Sequence, residues 1–236
     1  MKTFAKIRFY WGAFVISTIV ALGMIPLIKL FPKHKGIIMH KLNRVILLLM
    51  GAKLKTFGKR DKNANLYLIN HQGIMDIIAL EAVELTHFSW VAKKELFDAI
   101  WFGHLLKDGD MISVDRDNKA GLVKLLKDAK KSIEDKNRAV AIFPEGTRAK
   151  EQKLLPFKAG AKLLAQKLNM RVQPIVIVGS KYVLNEHNKT GHSGVIEIHY
   201  LDAFNIQDAP KTWYEDTKEK MQNLIDKIEK TREVQR

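Results

Sequence analysis

The chain has 236 residues, a formal net charge of +15 and no cysteine, which excludes disulfides and cysteine nucleophiles. Its length allows one domain with a full core plus an appendage. Residues 1–60 hold twelve of the forty basic residues and none of the acidic ones, so the rest of the chain carries only +3 and its charge gives no indication of nucleic-acid binding.

The N-terminal segment contains two apolar runs. The first, Phe9 to Ile28, has no charged side chain, and twenty helical residues extend about 30 Å, enough to cross a bilayer. The second, Ile37 to Ala52, includes two basic residues and is typical of a helix in the headgroup region. We predict that residues 1–60 form a basic two-helix anchor at a phospholipid surface.

Two alternatives to the anchor stay open. The first is a cleaved signal peptide, with Lys2, Lys6 and Arg8 as its basic end and Ala21-Leu22-Gly23 as its cleavage site. The second is that the first apolar run forms a buried core helix. The absence of cysteine and the second basic helix favour the anchor, but evenly placed basic residues leave open whether the first helix spans the membrane or lies in its interface.

The chain beyond residue 60 alternates short apolar runs with amphipathic stretches. The polar stretch Thr56 to Ala64 is the predicted boundary between the anchor and this body. Strands are predicted over residues 65–70, 88–92, 111–115, 138–143, 172–178 and 195–200, and helices over 76–85, 94–102, 118–135, 158–168 and 209–231. This order predicts an α/β domain over residues 61–236, with a mostly parallel central sheet flanked by helices.

The first motif, Asn70-His71-Gln72-Gly73-Ile74-Met75-Asp76, follows the strand predicted over 65–70. Helical side chains five residues apart point about 140° away from each other, so His71 and Asp76 meet only if one lies outside the helix. Gly73 permits a turn, and Asp76 stands at a natural N-cap position. An Asp that accepts from one imidazole nitrogen leaves the other as a general base, although a structural histidine and an ordinary N-cap fit the same spacing.

No nucleophile accompanies this histidine. The string closest to G-x-S-x-G is Gly191-His192-Ser193-Gly194, which is one residue short and lies in a polar stretch. A histidine base without an enzyme nucleophile activates a hydroxyl or water of the substrate. The sequence therefore favours direct transfer without a covalent intermediate.

The second motif, Phe143-Pro144-Glu145-Gly146-Thr147-Arg148, follows the strand predicted over 138–143. Gly146 lets the backbone approach a ligand, and the planar guanidinium of Arg148 suits phosphate. Other cations at strand ends or in neighbouring loops are Arg116, Lys93 or Lys94, and Lys158. Together these residues predict an anion-binding site next to the histidine, although each alone also fits a solvated charge or, for Glu145, a salt bridge.

Metal binding is not expected from the sequence. The eight histidines form no evident ligand cluster with acidic residues. We therefore expect no metal and no cofactor.

Four sequence blocks resemble the glycerolipid acyltransferases, and within them the bacterial 1-acyl-glycerol-3-phosphate acyltransferases. The H-x4-D block matches His71 to Asp76, the G-x4-D-R block corresponds to Gly109 to Arg116 with one residue of slack, and F-P-E-G-T-R is present intact. A proline-containing apolar block resembles residues 172–177. Gly73 and Ser113-Val114 depart from the usual pattern, which leaves acyl-chain and headgroup preference open.

The resemblance implies an activity and site residues. His71, oriented by Asp76, would deprotonate the sn-2 hydroxyl of lysophosphatidic acid, which attacks an acyl thioester of coenzyme A or acyl carrier protein and yields phosphatidic acid. Arg116, Glu145 and Arg148 would hold the glycerol phosphate. The expected location is the cytoplasmic face of a bacterial inner membrane, and the oligomeric state is not predicted. The alternatives are transfer to another lysophospholipid, a membrane-bound lipid hydrolase or phosphatase, and a non-catalytic lipid-binding protein.

Overall fold

A single mixed sheet forms the centre of the computed structural model, which describes residues 2–100, 102–115 and 119–234. Its strands are β1 Ala52–Phe57, β2 Leu66–Ile69, β3 Ser89–Lys93, β4 Ile112–Val114, β5 Val140–Ile142, β6 Arg171–Val178, β9 Gly194–Tyr200 and β10 Phe204–Asn205. A separate small hairpin consists of β7 Leu184–Asn185 and β8 Thr190–Gly191.

The strand order is β1-β9-β6-β2-β5-β3-β4, with β10 paired to the start of β6. The five strands from β6 to β4 run parallel to one another, whereas β9 is antiparallel to β6 and parallel to β1. The predicted class, a mostly parallel α/β sheet flanked by helices, is confirmed. Because the parallel strands point the same way, the segments that follow β2, β5 and β3 emerge side by side at one edge.

Helices cover both faces of this sheet. They are α1 Lys2–Thr18, α2 Ile25–Leu30, α3 Lys35–Met50, α4 Ile74–Val83, α5 Phe102–Asp108, α6 Lys119–Lys136, α7 Ala159–Lys167, α8 Ser180–Val183 and α9 Trp213–Val234. The four residues of β2 are buried on both faces, as expected of a central parallel strand. Tyr67 and Ile69 face a core that includes α3 and α4, whereas Leu66 and Leu68 face a core that includes α6 and α7.

The N-terminal helix is continuous from Lys2 to Leu30 because a π-helical turn, Ile19–Met24, joins α1 to α2. By length and composition it is the one helix among the described residues that could cross a membrane. Its N-terminal half is fastened to the end of α3, where Arg8 Nη2 donates to the carbonyl of Met50 at 2.6 Å and Trp11 Nε1 to that of Leu49 at 3.2 Å. The helix therefore has one face on the protein.

Two segments differ from the sequence prediction. Residues 52–57 were expected in the anchor, but they form β1, an edge strand in which Ala52 and Leu54 are half-buried and the other four residues are exposed. Residues 94–102 were expected to form one helix, whereas a 3-10 turn, Lys94–Asp98, is followed by extended Ala99 before α5 begins at Phe102. The six strands predicted for the body are present to within two residues at each end.

Candidate active site

The two sequence motifs meet at the carboxyl edge of the sheet. His71 comes two residues after β2, and Phe143 directly follows β5, the neighbouring strand. The backbone N–H of His71 donates to Glu145 Oε1 at 2.8 Å, and its carbonyl accepts from the backbone N–H of Ala149 at 2.8 Å. The backbone of the histidine is thus bound on one side to the second motif and on the other to the residue that directly follows it.

The imidazole of His71 contacts the carboxylate of Asp76, with Nδ1 3.0 Å from Oδ2. Because a carboxylate only accepts, this contact places the proton on Nδ1 and leaves Nε2 to take a proton from a ligand. Asp76 is fully buried, whereas His71 keeps 14% of its side chain exposed. The imidazole is therefore accessible at one end and faces a shielded carboxylate at the other.

Asp76 occupies a different helical position from the one predicted. The helix α4 begins at Ile74 with Gly73 as its N-cap, so Asp76 is the third helical residue and not the N-cap. Its Oδ2 also accepts from the backbone N–H groups of Gln72 at 2.6 Å and Gly73 at 2.9 Å. The side chain folds back over the start of its own helix, and this brings it to His71 across the turn.

The flat face of the imidazole lies on an aromatic ring. The His71 and Phe143 ring centroids are 3.7 Å apart with 12° between the planes. Phe143 in turn stacks on Trp90 of the neighbouring strand β3. Their ring centroids are 5.2 Å apart, with 26° between the ring planes. The first residue of the second motif, Phe143, therefore contacts the imidazole of His71 directly.

Glu145 is buried under the turn formed by the second motif. It is 1% exposed, and its second oxygen accepts from the backbone N–H of Leu155 at 2.7 Å. Burial raises the pKa of Glu145, although the N–H groups of Leu155 and His71 oppose that rise. The carboxylate holds the turn that carries Gly146, which has a φ of 71°, a conformation that favours glycine. Direct contact between Glu145 and a ligand stays a prediction.

Arg148 stands at the mouth of the site, with 44% of its side chain exposed. Its Nη1 pairs with Glu186 Oε2, on the loop between β7 and β8. The other oxygen of Glu186 accepts from the backbone N–H of Ile74, at the N-terminus of α4, at 2.9 Å. A carboxylate thus occupies a position where a guanidinium and a helix terminus both favour an anion.

A cavity of about 540 Å³ opens between His71 and the N-terminal helices. Its polar end includes His71, Gly146, Thr147, Arg148 and Lys93. Most of the remaining wall is apolar and comes from α1, the π-helical turn, α3, α4 and α5, through residues such as Ile16, Val20, Met24, Met39, Ile46, Ile77, Leu105 and Leu106. A ligand with an anionic head and a long apolar chain matches this division.

The predicted cations are only partly brought together. Lys93 lines the cavity, and its Nζ lies 3.0 Å from Glu95 Oε1. The Nζ of Lys94 lies 3.5 Å from Asp115 Oδ2. Lys158 is exposed at the start of α7 and is not among the described residues that line the cavity. Arg116 lies outside the described residues.

No cluster of three or more potential metal ligands is present in the residues that the structure describes. The structure does reveal polar residues that the sequence analysis did not single out. Glu186 approaches Arg148, and the buried Lys181 donates from Nζ to the carbonyls of Ala149 and Lys150, in the loop after the second motif. Burial lowers the pKa of Lys181, while nearby carboxylates, that of Asp76 first, oppose this. Both residues are more than thirty positions from the loop, so no local pattern indicates them.

Known proteins show similarity over most of the chain. A sequence model of the Acyltransferase family matches residues 53–178. The 1-acyl-sn-glycerol-3-phosphate acyltransferase of Helicobacter pylori is 41% identical over 175 residues, which cover 74% of this chain and 73% of that protein. The protein of the same name from Limnanthes douglasii is 28% identical over 83% of this chain and 72% of its own length. The crystal structure of the 1-acyl-sn-glycerophosphate (LPA) acyltransferase PlsC from Thermotoga maritima has a TM-score of 0.78 at 17% identity, over 97% of this chain and 98% of that one, and shows the shared fold.

Proposed function

The chain belongs to the Acyltransferase family, and from that premise we propose that it acylates the sn-2 hydroxyl of 1-acyl-sn-glycerol-3-phosphate to give phosphatidic acid. The donor is an acyl thioester, either acyl-CoA or an acylated carrier protein. The observation that carries the proposal is the contact between His71 and Asp76 at a cavity whose wall is mostly apolar and also includes Arg148 and Lys93. The names of the relatives support the acceptor.

In the proposed reaction, His71 Nε2 removes the proton of the acceptor hydroxyl as its oxygen attacks the thioester carbonyl carbon. The C–S bond breaks as the tetrahedral intermediate collapses, and the thiolate takes the proton back from the imidazolium. The products are phosphatidic acid and a free thiol. Asp76 keeps Nδ1 protonated and balances the positive charge that forms on the ring.

The acceptor phosphate is proposed to bind at Arg148, with Thr147 and the backbone at Gly146 beside it. Because Arg148 is paired with Glu186, an incoming phosphate competes with that carboxylate for the guanidinium. Lys93 lines the same cavity and is the second cation proposed to attract the phosphate, in competition with its partner Glu95. An acyl chain extends from this polar end into the apolar cavity, where burial contributes about 0.8 kcal/mol for each methylene group.

The N-terminal helix is proposed to lie in the membrane interface on the cytoplasmic side. Ala5, Gly12 and Val15 of α1 are buried against the protein. Ile7, Tyr10 and Phe14 are exposed on the opposite face, and the exposed Phe4 and Trp11 lie at its edge. A helix with one face on protein and an aromatic face outside suits a lipid surface better than a full crossing. The basic residues around it favour anionic lipid.

The test is an acyl-transfer assay with the full chain in lipid vesicles, a panel of lysophospholipids and both thioester donors, read by lipid mass spectrometry. Conversion of 1-acyl-sn-glycerol-3-phosphate to phosphatidic acid with release of one thiol per product supports the proposal. Release of free fatty acid or inorganic phosphate without an acylated glycerolipid contradicts it and favours a hydrolase.

A further inference from the structure

A chain of contacts runs from the imidazole of His71 into the core through two aromatic rings. Phe143 stacks on His71, and Trp90 stacks on Phe143. Trp90 Nε1 donates to Glu81 Oε1 at 2.7 Å, and Glu81 is fully buried. Base chemistry accounts for His71 and Asp76, but it does not by itself explain a buried carboxylate at the far end of this stack.

The geometry of an imidazole shows what the stack adds. A single hydrogen bond at Nδ1 fixes one corner of the ring but leaves the ring free to rotate about that contact. A parallel face contact at 3.7 Å fixes the plane of the ring. Together the edge contact with Asp76 and the face contact with Phe143 define the direction in which Nε2 points, which a general base requires.

Both supports of the imidazole start from the same helix. Asp76 and Glu81 belong to α4, so the path from His71 to Asp76 and the path from His71 through Phe143 and Trp90 to Glu81 close on one rigid element. The rings in between belong to neighbouring strands or their ends, because Trp90 pairs with Ala141 two residues before Phe143. The contacts that support the imidazole therefore do not depend on exposed loops.

We propose that Phe143, backed by Trp90 and anchored by Glu81, is a positioning residue that sets the orientation of the His71 imidazole for proton transfer. Phe143 also offers its negative face to the positive charge that the ring gains during the reaction. The inference rests on the proposed function for its kinetic consequences, whereas the stacking itself can be measured without substrate.

The main variant is Phe143→Leu, which removes the flat face while keeping an apolar side chain. Phe143→Tyr retains the face and serves as the conservative rescue. Phe204→Leu is the matched control. The ring of Phe204 contacts that of Trp213, with 5.8 Å between the centroids, on the face of the sheet away from the cavity. Trp90→Leu tests whether the second ring acts through the first.

The kinetic readout is kcat and the KM for each substrate, measured with the full chain in vesicles. A misaligned base slows the chemical step, so Phe143→Leu is expected to lower kcat about 10- to 100-fold with each KM changed by less than about threefold. Phe143→Tyr and Phe204→Leu are expected to stay within about threefold of wild type in kcat. A rise in KM at unchanged kcat in Phe143→Leu would assign Phe143 to the cavity wall alone and overturn the proposal.

The spectroscopic readout is histidine NMR of the full chain labelled with ¹³C-histidine, with the His71 signals assigned through His71→Ala. Stacking predicts upfield-shifted ring protons for His71 in wild type and Phe143→Tyr, and loss of that shift in Phe143→Leu and Trp90→Leu. An unchanged His71 signal in both leucine variants overturns the positioning role. If the shifts behave as expected but wild type makes no phosphatidic acid, the stack stands and the proposed function fails.

Non-additivity gives a second kinetic test. If Phe143 and Asp76 both act through His71, the loss in Asp76→Asn combined with Phe143→Leu is smaller than the product of the two single losses. Multiplicative losses would show that the two side chains act independently and would contradict the proposal.

Discussion

Replacement of Asp76 by asparagine isolates the charge of the carboxylate from its shape. Oδ2 accepts from His71 Nδ1 and from the backbone N–H groups of Gln72 and Gly73. The two backbone donors hold the amide oxygen of Asn at the same place, so it still accepts from Nδ1 and the tautomer is retained. The amide nitrogen replaces Oδ1, which is buried without a hydrogen-bond partner in the described residues. What is lost is the negative charge beside the imidazolium.

The size of the effect follows from the 3.0 Å separation between Nδ1 and Oδ2. Coulomb attraction at an effective dielectric constant of about 20 gives an upper bound near 5.5 kcal/mol. The difference between a charge-assisted and a neutral hydrogen bond gives a lower bound near 1.5 kcal/mol. With 1.36 kcal/mol for each factor of ten, Asp76→Asn should lower kcat between about 10- and 10⁴-fold.

The assay is initial-rate acyl transfer at saturating concentrations of both substrates. Because Asp76 is fully buried and outside the described cavity wall, each KM should stay within about threefold of wild type. Asp208→Asn, a surface carboxylate that accepts from Asn205, is the control for the chemical change. A kcat within twofold of wild type for Asp76→Asn, in protein with an unchanged melting temperature, would show that the charge of Asp76 does not support proton transfer at His71.

Three further predictions follow from the geometry of the site and of the core. Arg148→Ala should raise the KM for the acceptor about 10- to 100-fold with a smaller change in kcat, and an unchanged KM in initial-rate assays would exclude Arg148 from phosphate binding. Glu145→Gln should lower the free energy of unfolding by about 1–3 kcal/mol, because one of the two backbone N–H groups loses its carboxylate oxygen; a thermal melt in detergent micelles measures this, and an unchanged melting temperature contradicts it. Burial opposes ionisation of Asp110, yet hydrogen bonds from Lys35 and Lys136 hold its pKa well below the usual range. Its stabilising contribution is therefore present above about pH 4 and is lost as the pH falls further. In Asp110→Asn the free energy of unfolding should therefore fall less steeply than in wild type as the pH is lowered. Denaturant titrations from pH 3 to 7 measure this difference.

The central sheet could be predicted because its strands are short apolar runs that end at polar motifs. The exception, β1, is an edge strand: Lys53 and Lys55 point to solvent while Leu54 is half-buried. Its apolar content is therefore low, and its pairing with β9, more than a hundred residues away, cannot be read from local sequence.

The contact between His71 and Asp76 could likewise be predicted from spacing, whereas its surroundings could not. The five-residue separation required a turn between His71 and Asp76, and the structure contains one, although the helix begins two residues earlier than predicted. The pairing of Glu186 with Arg148 and the stacking of Trp90 on Phe143 join residues far apart in the chain. Such contacts depend on strand order and loop geometry, which residue spacing does not specify.

The most direct test of His71 as the general base is acyl transfer by His71→Ala in the same vesicles as wild type. We expect kcat to fall at least about 10²-fold, as when a general base is removed, while the protein remains bound to the vesicles and keeps its melting temperature. Production of phosphatidic acid by His71→Ala at the wild-type rate would show that His71 is not the base.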